Sequence, residues 1–585
     1  MSEILPATPV IAPLWAGLKY FDHQLRGIEW MLERERKGHK CPKFGPVRFP
    51  VQVTGGLLAD EMGAGKTITT LATIAENPVP CTLIVVPKAV IKNWTDNAIR
   101  AGLRTYNVIG TGGSARWWQI ESSKATRFSA VYICSYSSLI YKPHLAASGS
   151  ESSNSSSNSS ASASAESPVT WGRVVFDEAH VFRNHLTKLY KEVLEVVRGI
   201  KYRWLLTATP IVNKPKDAVT LLAAIGVPAT KARDWNETYY RPLLPVLVLH
   251  RSMESLRAVV AEMPPKPDIH NVVLPFTCLQ EEEYYLMLQL MTKQMERAFR
   301  QGRAAQGLEL LLRLRQCSLS PELVPDDLVD KYGVGEWPAG KPSSKMLKVC
   351  EMVKAEPAKK FLVFCWFHRE MALIDAMLEL EGITVEQYHG GMSETQRNDV
   401  LDRARKPECQ VLLIQIRSGG VGLNLQEFNR VVFTSPYWTS AMMDQAIGRA
   451  VRIGQSEVVQ VYHLLMETDM GRNIDTMTTE IAENKRAMGE AFFAVADGDD
   501  LEAGDAEAEA EAEAEAEPGP VLETPMTYPD ALAILGVTMA SDQEAIGKAY
   551  RVLALRWHPD KNIGNEVVAT AKFLRIQAAY ELLSA

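Results

Sequence analysis

Seven short apolar runs, rich in β-branched and aromatic residues, constrain this 585-residue chain more than any other feature. TLIVVP (82–87), AVYICSY (130–136), RVVFDEA (173–179) and RWLLTATP (203–210) form a first group. KKFLVFCWF (359–367), QVLLIQI (410–416) and RVVFTSP (430–436) form a second. The runs alternate with amphipathic stretches of helical period, the pattern of parallel strands covered by helices. A single hydrophobic core stops growing near ~250–300 residues, so at least three domains are expected, with two of them α/β. Ligands of such sheets lie at the carboxyl ends of the strands. The loops after these runs are therefore where chemistry is expected.

Composition narrows the class. Hydrophobic residues make up 46% of the chain, enough to fill several cores. Its 8 cysteines include no Cys-x-x-Cys pair and no zinc-type Cys/His cluster, which reads as a reduced intracellular protein without a structural metal. The N-terminus MSEILPATPVIAPLW is acidic where a secretory signal is basic. No apolar run approaches the ~20 residues that cross a bilayer, the longest candidate being PLLPVLVL near position 245. A soluble chain is expected.

Two low-complexity segments punctuate the sequence. The Ser-rich stretch at 146–167 lacks the apolar residues that offset ordering entropy and reads as a disordered insert. Its Asn154 and Asn158 triplets match the glycosylation pattern and are read as coincidence in an intracellular chain. The second segment, within 491–526, holds eleven acidic residues and no basic one between Asp497 and Glu517. Like charges repeated along it oppose helix formation, so it reads as an extended spacer, with a histone-binding or DNA-mimicking role as the other reading. The formal net charge is −7. With the acidic spacer, Glu523 and a charge-balanced C-terminal segment set aside, residues 1–496 carry +5, a balance compatible with a nucleic-acid partner.

The chemistry in the first group begins at EMGAGKT. Gly63 and Gly65 let backbone approach phosphate, Lys66 reaches the β and γ oxygens, and Thr67 holds Mg²⁺. Asp60 stands where the generic phosphate loop begins with glycine. Asp177 and Glu178, at the end of RVVF, are placed for metal binding and for orienting an attacking water. Gln24, in FDHQLRGIEWM, has an amide that suits an adenine edge, or is a surface residue on an amphipathic helix. In the second group, DQAIGRAVRIGQ (444–455) puts Arg449 and Arg452 one helical turn apart. Two guanidinium groups there suit the charge of a transferring phosphoryl group, which an arginine finger accelerates by ~10³–10⁵.

LADEMGAGKT, FDEAH, LTATP, RSGGVGLNL and QAIGRAVRIGQ, in that order, resemble motifs I, II, III, V and VI of the superfamily-two ATPases, and GGVGLNL with RIGQ resembles the Swi/Snf-type branch. The resemblance spans about residues 15–470. It implies two RecA-like helicase lobes and a double-stranded-DNA translocase rather than a strand-separating helicase. It carries Gln24 and Gln445 to ATP binding, Lys66 and Thr67 to phosphate and Mg²⁺, and Asp177 and Glu178 to metal and water. Arg449 and Arg452 then complete the site, Arg452 as the finger, and Thr207 and Thr209 relay nucleotide state between lobes. DNA contacts are expected from Lys88, Asn93, Ser135, Ser418, Gly419, Gly420 and Asn424. They would be phosphate contacts, tolerant of sequence and sensitive to salt. Val451 stands where many relatives have His, and Arg417-Ser418 where Lys-Ala is common. A zinc RING between the lobes is excluded because residues 211–345 offer only Cys278 and Cys317.

At the C-terminus, LGV, AYRVLALRWHPDKN and IQAAYELL resemble the J domain of DnaJ co-chaperones. The resemblance implies that His558, Pro559 and Asp560 stimulate a DnaK-type chaperone, with Lys548, Arg551 and Arg556 steering the contact. The expected fold is thus α/β, with two RecA-like helicase lobes, an acidic linker and a small all-α J domain. The expected boundaries are a tail at 1–14, an ATP-binding lobe at 15–240, an inter-lobe helical region at 241–344, a C-terminal lobe at 345–490, the linker at 491–526 and the J domain at 527–585. The expected function is an ATP- and Mg²⁺-dependent motor on double-stranded DNA that remodels or displaces bound proteins such as nucleosomes, in the nucleus. The alternatives are a chromatin-tethered co-chaperone with a weak motor and a strand-separating helicase.

Overall fold

The central strands are apolar on both faces, so each sheet needs a helical layer on either side. The structure, a computed structural model, shows this arrangement twice. It describes residues 11–41, 51–109, 116–120, 129–139, 170–227, 241–278, 280–285, 304–325, 337–416, 423–452, 454–467 and 473–497, with 550, 553 and 554. The Ser-rich insert, the linker beyond Asp497 and the J-domain residues Lys548, Arg551, Arg556, His558, Pro559 and Asp560 lie outside the described residues.

A small antiparallel ribbon pairs β1 (His39–Cys41) with β2 (Val51–Val53). The first sheet comprises β3 (Gly55–Leu58), β4 (Cys81–Val86), β5 (Arg104–Ile109), β6 (Arg116–Gln119), β7 (Ala130–Ser135), β8 (Arg173–Asp177), β9 (Tyr202–Leu206) and β10 (Val248–Leu249). Its order is β10-β3-β9-β8-β4-β7-β5-β6, parallel except for the β5–β6 edge pair. Alternate residues feed two cores. Leu57, Leu83, Val85, Val174, Phe176 and Leu205 face one side, and Leu58, Ile84, Val86, Val175, Trp204 and Leu206 face the other.

The second sheet comprises β11 (Asp268–Leu274), β12 (Phe361–Cys365), β13 (Val385–Tyr388), β14 (Val411–Gln415), β15 (Arg430–Phe433) and β16 (Gln460–Met466), in the order β11-β16-β15-β12-β14-β13. All seven runs named above are strands, and PLLPVLVL ends in the edge strand β10. Because β10 pairs with β3, the first sheet draws on residues beyond 240, and β11 carries part of 241–344 into the second sheet.

Apart from the last residues of β11 (273–274) and of β16 (466), both sheets lie within one compact unit, and residues 273–348 with 466–475 fall in a second. That second unit is organised around the Lys345–Asp475 ion pair at 2.7 Å, buried on both sides, with the Ser318 hydroxyl donating to the same carboxylate at 3.1 Å. The helix Ile474–Asp497 runs past position 490, where a linker was expected. Its continuation has an apolar cause: Phe492 is buried in the first sheet's core, and Phe493 stacks on His250 with centroids 3.7 Å apart. Among the described residues, no helix is long and apolar enough to cross a membrane.

Three helices of the first lobe position the site. Helix α1 (Asp22–Lys37) buries His23, Gln24, Gly27, Ile28, Met31, Leu32 and Glu35 along one face. Glu35 meets Arg173 of β8, each almost fully buried, and also accepts from the Trp204 indole at 2.8 Å and the Asn77 amide at 2.6 Å. Helix α2 (Lys66–Glu76) follows β3, and α3 (Ile91–Arg100) follows β4. These are the strand-to-helix turns where the sequence placed its chemistry.

Candidate active site

The turn between β3 and α2 is glycine-dependent. Gly63 and Gly65 have φ of 90° and 88°, in the left-handed region that favours glycine. Open space surrounds Gly63, whereas a Cβ on Gly65 would collide with the Gln24 amide. Gly65 is the N-cap of α2, so the helix N-terminus and its unpaired N–H groups open onto the loop, an arrangement suited to phosphate. Lys66 Nζ donates to the carbonyl oxygens of Asp60 and Glu61 at 2.6 and 3.2 Å.

Asp177 closes β8 and Glu178 follows in the left-handed conformation (φ 50°, ψ 49°), alone among the non-glycine residues described. Such a conformation costs ~1–3 kcal/mol and is retained where the surroundings enforce it. Asp177 Oδ1 accepts from the Glu178 N–H at 3.0 Å, and its Oδ2 accepts from the Trp94 indole at 2.7 Å. The Tyr136 hydroxyl donates to the Asp177 carbonyl at 2.7 Å. Burial raises both carboxyl groups above their ordinary pKa; Glu178 adds to the shift of Asp177, and Lys66 opposes both shifts.

Arg449 and Arg452 approach from the second lobe, but not as neighbouring positions of one helix as expected: the helix Ser440–Ile447 ends before them and they follow it in turn and bend. A cleft of about 310 Å³ is lined by Gly63, Gly65, Lys66, Thr67, Asp177 and Glu178 on one side and by Arg449 and Arg452 on the other. Arg449 is 3% exposed; burial and the neighbouring Arg452 push its pKa down to about 10, while Glu178 and Asp177 hold it up. Arg452 Nε donates to the Gly448 carbonyl at 2.9 Å. The donors near Lys66 are hard oxygens: the Thr67 hydroxyl and two carboxylates. Among the described residues, no group of three or more His, Cys, Asp or Glu could cage a metal. This donor set fits Mg²⁺, which keeps waters and shares phosphate oxygens.

The remaining expected residues fall in several places. Gln24 is buried, its Oε1 accepting from Phe21 N at 3.1 Å and its Nε2 donating to Ala64 O at 3.3 Å, so it braces the loop. Gln445 and Thr209 line a neighbouring cleft of about 510 Å³ together with Glu61, Met62 and Asp444. Thr207 and Thr209 meet His180 Nδ1 at 3.0 and 3.4 Å, and the same nitrogen lies 3.4 Å from Glu178 Oε2. Burial pushes His180 down to about 4, so this bridge is a neutral imidazole at physiological pH.

Of the residues expected to touch DNA, Lys88 is exposed, whereas Asn93 and Asn424 line the cleft beside Lys66. Ser135 is buried, its hydroxyl 2.8 Å from those of Ser137 and Ser138; Ser137 is the exposed member. Ser418, Gly419 and Gly420 lie outside the described residues. Sequence reasoning missed Trp94, Arg251, His180 and Gln426. NW in PKAVIKNW and His180 in DEAH were visible, but their partners are far away in the chain. Arg251 and Gln426 carried no signal.

Strand-end carboxylates, a phosphate-type loop and two arginines from a second lobe define a two-lobed, helicase-like ATPase. Residues 23–323 match the SNF2-related domain, residues 344–454 the helicase conserved C-terminal domain and residues 530–585 the DnaJ domain. The chain belongs to the SNF2-related family, as a DNA-dependent ATPase with a C-terminal J domain. It is 26% identical over 478 residues to a probable global transactivator of Orgyia pseudotsugata multicapsid polyhedrosis virus, covering 78% of this chain and 88% of that protein. The DNA repair protein RAD5 of Yarrowia lipolytica is 25% identical, over 72% of this chain and 55% of that protein. The SWI/SNF-related matrix-associated actin-dependent regulator of chromatin subfamily A member 1 of Mus musculus is 24% identical, over 77% and 42%. This chain thus spans about half the length of the latter two.

Proposed function

We propose that this ATPase translocates along double-stranded DNA in the nucleus and displaces or remodels bound proteins such as nucleosomes, while its J domain recruits a DnaK-type chaperone. The observation that carries the motor is the cleft in which Lys66, Asp177 and Glu178 of the first lobe face Arg449 and Arg452 of the second. A site completed by two sheets is sensitive to the distance between them, so nucleotide binding and hydrolysis can alternate their spacing. The relatives named for chromatin regulation and DNA repair support the choice of substrate.

On binding ATP, Lys66 exchanges the Asp60 and Glu61 carbonyl oxygens for phosphate oxygens. Glu178, held in a fixed conformation beside His180, orients the water for in-line attack, and Arg449 and Arg452 offset the charge spreading over the transferred group. Thr67 and Asp177 would hold Mg²⁺, which neutralises phosphate charge when bound. His180 contacts both Glu178 and the Thr207–Thr209 loop, so a change at the carboxylate reaches the neighbouring cleft that Thr209 shares with Gln445.

The test is ATP turnover with and without duplex DNA, combined with triplex displacement and unwinding of a tailed duplex. Duplex-stimulated turnover and triplex displacement without unwinding are expected, all lost in Lys66→Ala. Turnover that ignores duplex, or that survives Lys66→Ala, would sink the motor reading.

A further inference from the structure

Arg251 has no part in the chemistry above, yet it sits at the centre of the contacts that hold the phosphate loop. Its guanidinium forks onto the Asp60 carboxylate, Nε donating to Oδ1 at 2.8 Å and Nη2 to Oδ2, and its Nη1 donates to the His23 carbonyl of α1. Asp60 is 1% exposed and Arg251 14%, so water barely screens the pair. Gly27 on α1 gives it room, since a Cβ there would come within 3.0 Å of Nη2. The same Asp60 offers its carbonyl oxygen to Lys66 Nζ.

The backbone around Arg251 is zipped to the loop as well. Ala59 N donates to Leu249 O at 2.7 Å, Glu61 N to Arg251 O at 3.2 Å, and Met253 N to Glu61 Oε2 at 3.0 Å. Just beyond, Met253 and Leu256 of the helix Met253–Val259 form with Val260 and Met263 the apolar seat of Ala64, in the middle of the loop. The chain then continues into β11 at the edge of the second sheet. The polypeptide therefore runs from the first sheet to β11 along the nucleotide loop.

We infer that Arg251 is a positioning residue for Lys66: by fixing Asp60 against α1 it keeps the loop backbone in place when Lys66 leaves the Asp60 carbonyl for phosphate, and through it the segment joining the two sheets acts on nucleotide affinity. The inference rests on reading the Lys66 cleft as the ATP site. A lysine at 251 keeps the charge but cannot fork onto Asp60 and reach His23 O together.

The experiment measures binding of a fluorescent ADP analogue, the KM and kcat for ATP with duplex DNA, and thermal melting without nucleotide. The proteins are the full chain, R251K, R251Q, R251A, D60N and D60N/R251Q. Expected in R251K is a rise in Kd and KM on the order of tenfold, the scale of coupling within one close ion pair. Saturated kcat should fall much less, and nucleotide-free melting should shift little. The double variant should bind no more weakly than the worse single one, because both remove the same contact. Methylguanidinium should restore affinity to R251A, which keeps the idea testable should R251Q fold poorly. Wild-type affinity in R251K, or losses in kcat and melting temperature at unchanged KM, overturns the inference. A wild-type chain that binds no nucleotide overturns the reading of the cleft instead.

Discussion

Replacing Trp94 with phenylalanine isolates one hydrogen bond in the site. Trp94 is 1% exposed on α3, and its indole N–H donates to Asp177 Oδ2 at 2.7 Å. Phenylalanine keeps an aromatic ring in the core formed with Ile84, Val86 and Ala98 but cannot donate. A hydrogen bond to a charged group contributes ~1.5–3 kcal/mol, and each 1.36 kcal/mol at the transition state is tenfold in rate, so kcat should fall roughly 10- to 150-fold. Among the described residues, the Glu178 N–H would remain as the hydrogen-bond donor to the Asp177 carboxylate. KM should move less, because Lys66, Gly63 and Gly65 are untouched. The assay is steady-state turnover of saturating ATP with duplex DNA, checked against melting temperature. A W94F protein that melts normally and turns over within about twofold of wild type would show that Trp94 fills the core and does not hold Asp177.

Three further outcomes follow from contacts described above. Glu35→Ala strands Arg173 in a buried site and should destabilise the fold by ~3–5 kcal/mol, read from urea denaturation; a loss of unfolding free energy below about 1 kcal/mol contradicts the buried pair. His463 stacks on Phe433 at 5.0 Å, and burial followed by Arg486 pushes it down to about 4. Below the ordinary histidine value the unfolded chain takes up the proton first, so stability falls as pH drops from about 6.5 toward 4. His463→Phe should flatten that part of the melting curve against pH, and an unchanged slope would exclude it as a contributor. His558→Gln should abolish stimulation of a DnaK-type ATPase while leaving duplex-stimulated turnover intact; loss of both would mean that the modules act as one.

The sequence disclosed strands and loops better than it disclosed partners. RVVFDEA and QVLLIQI were legible because a strand buried on both faces must be apolar throughout, and their loops were legible because phosphate chemistry restricts residue types. The short edge strand β10 and the half-exposed β11 carry no such signature: Ile269 and Val273 are about half exposed although they lie in a sheet. Asn93 and Ser135 show the same limit at the level of side chains. The loops they belong to were found, but which atom faces the cleft depends on the pitch of α3 and on hydroxyl pairing within Ser135–Ser138, which residue type does not encode. Phe492 was assigned to a linker because it precedes an acidic run, yet its ring finds a core contributed by residues hundreds of positions away.

Glu178 explains why the site is built around a strained residue. If Glu178 had ordinary strand geometry, period-two alternation would turn its side chain to the opposite face of the sheet from Asp177. The left-handed turn at φ 50° brings both carboxylates into one cleft. The backbone cost is met by contacts that exist only in the folded chain: the Glu178 N–H to Asp177, the Tyr136 hydroxyl to the Asp177 carbonyl, and His180 against Thr207. These contacts also tie the carboxylates to the Thr207–Thr209 loop, so the strain and the coupling have one physical origin. A Glu178→Asn chain, whose side chain tolerates the left-handed region, should therefore lose turnover without losing stability. Wild-type turnover in that chain, or a melting temperature several degrees below wild type, would show that Glu178 serves the fold and not the chemistry.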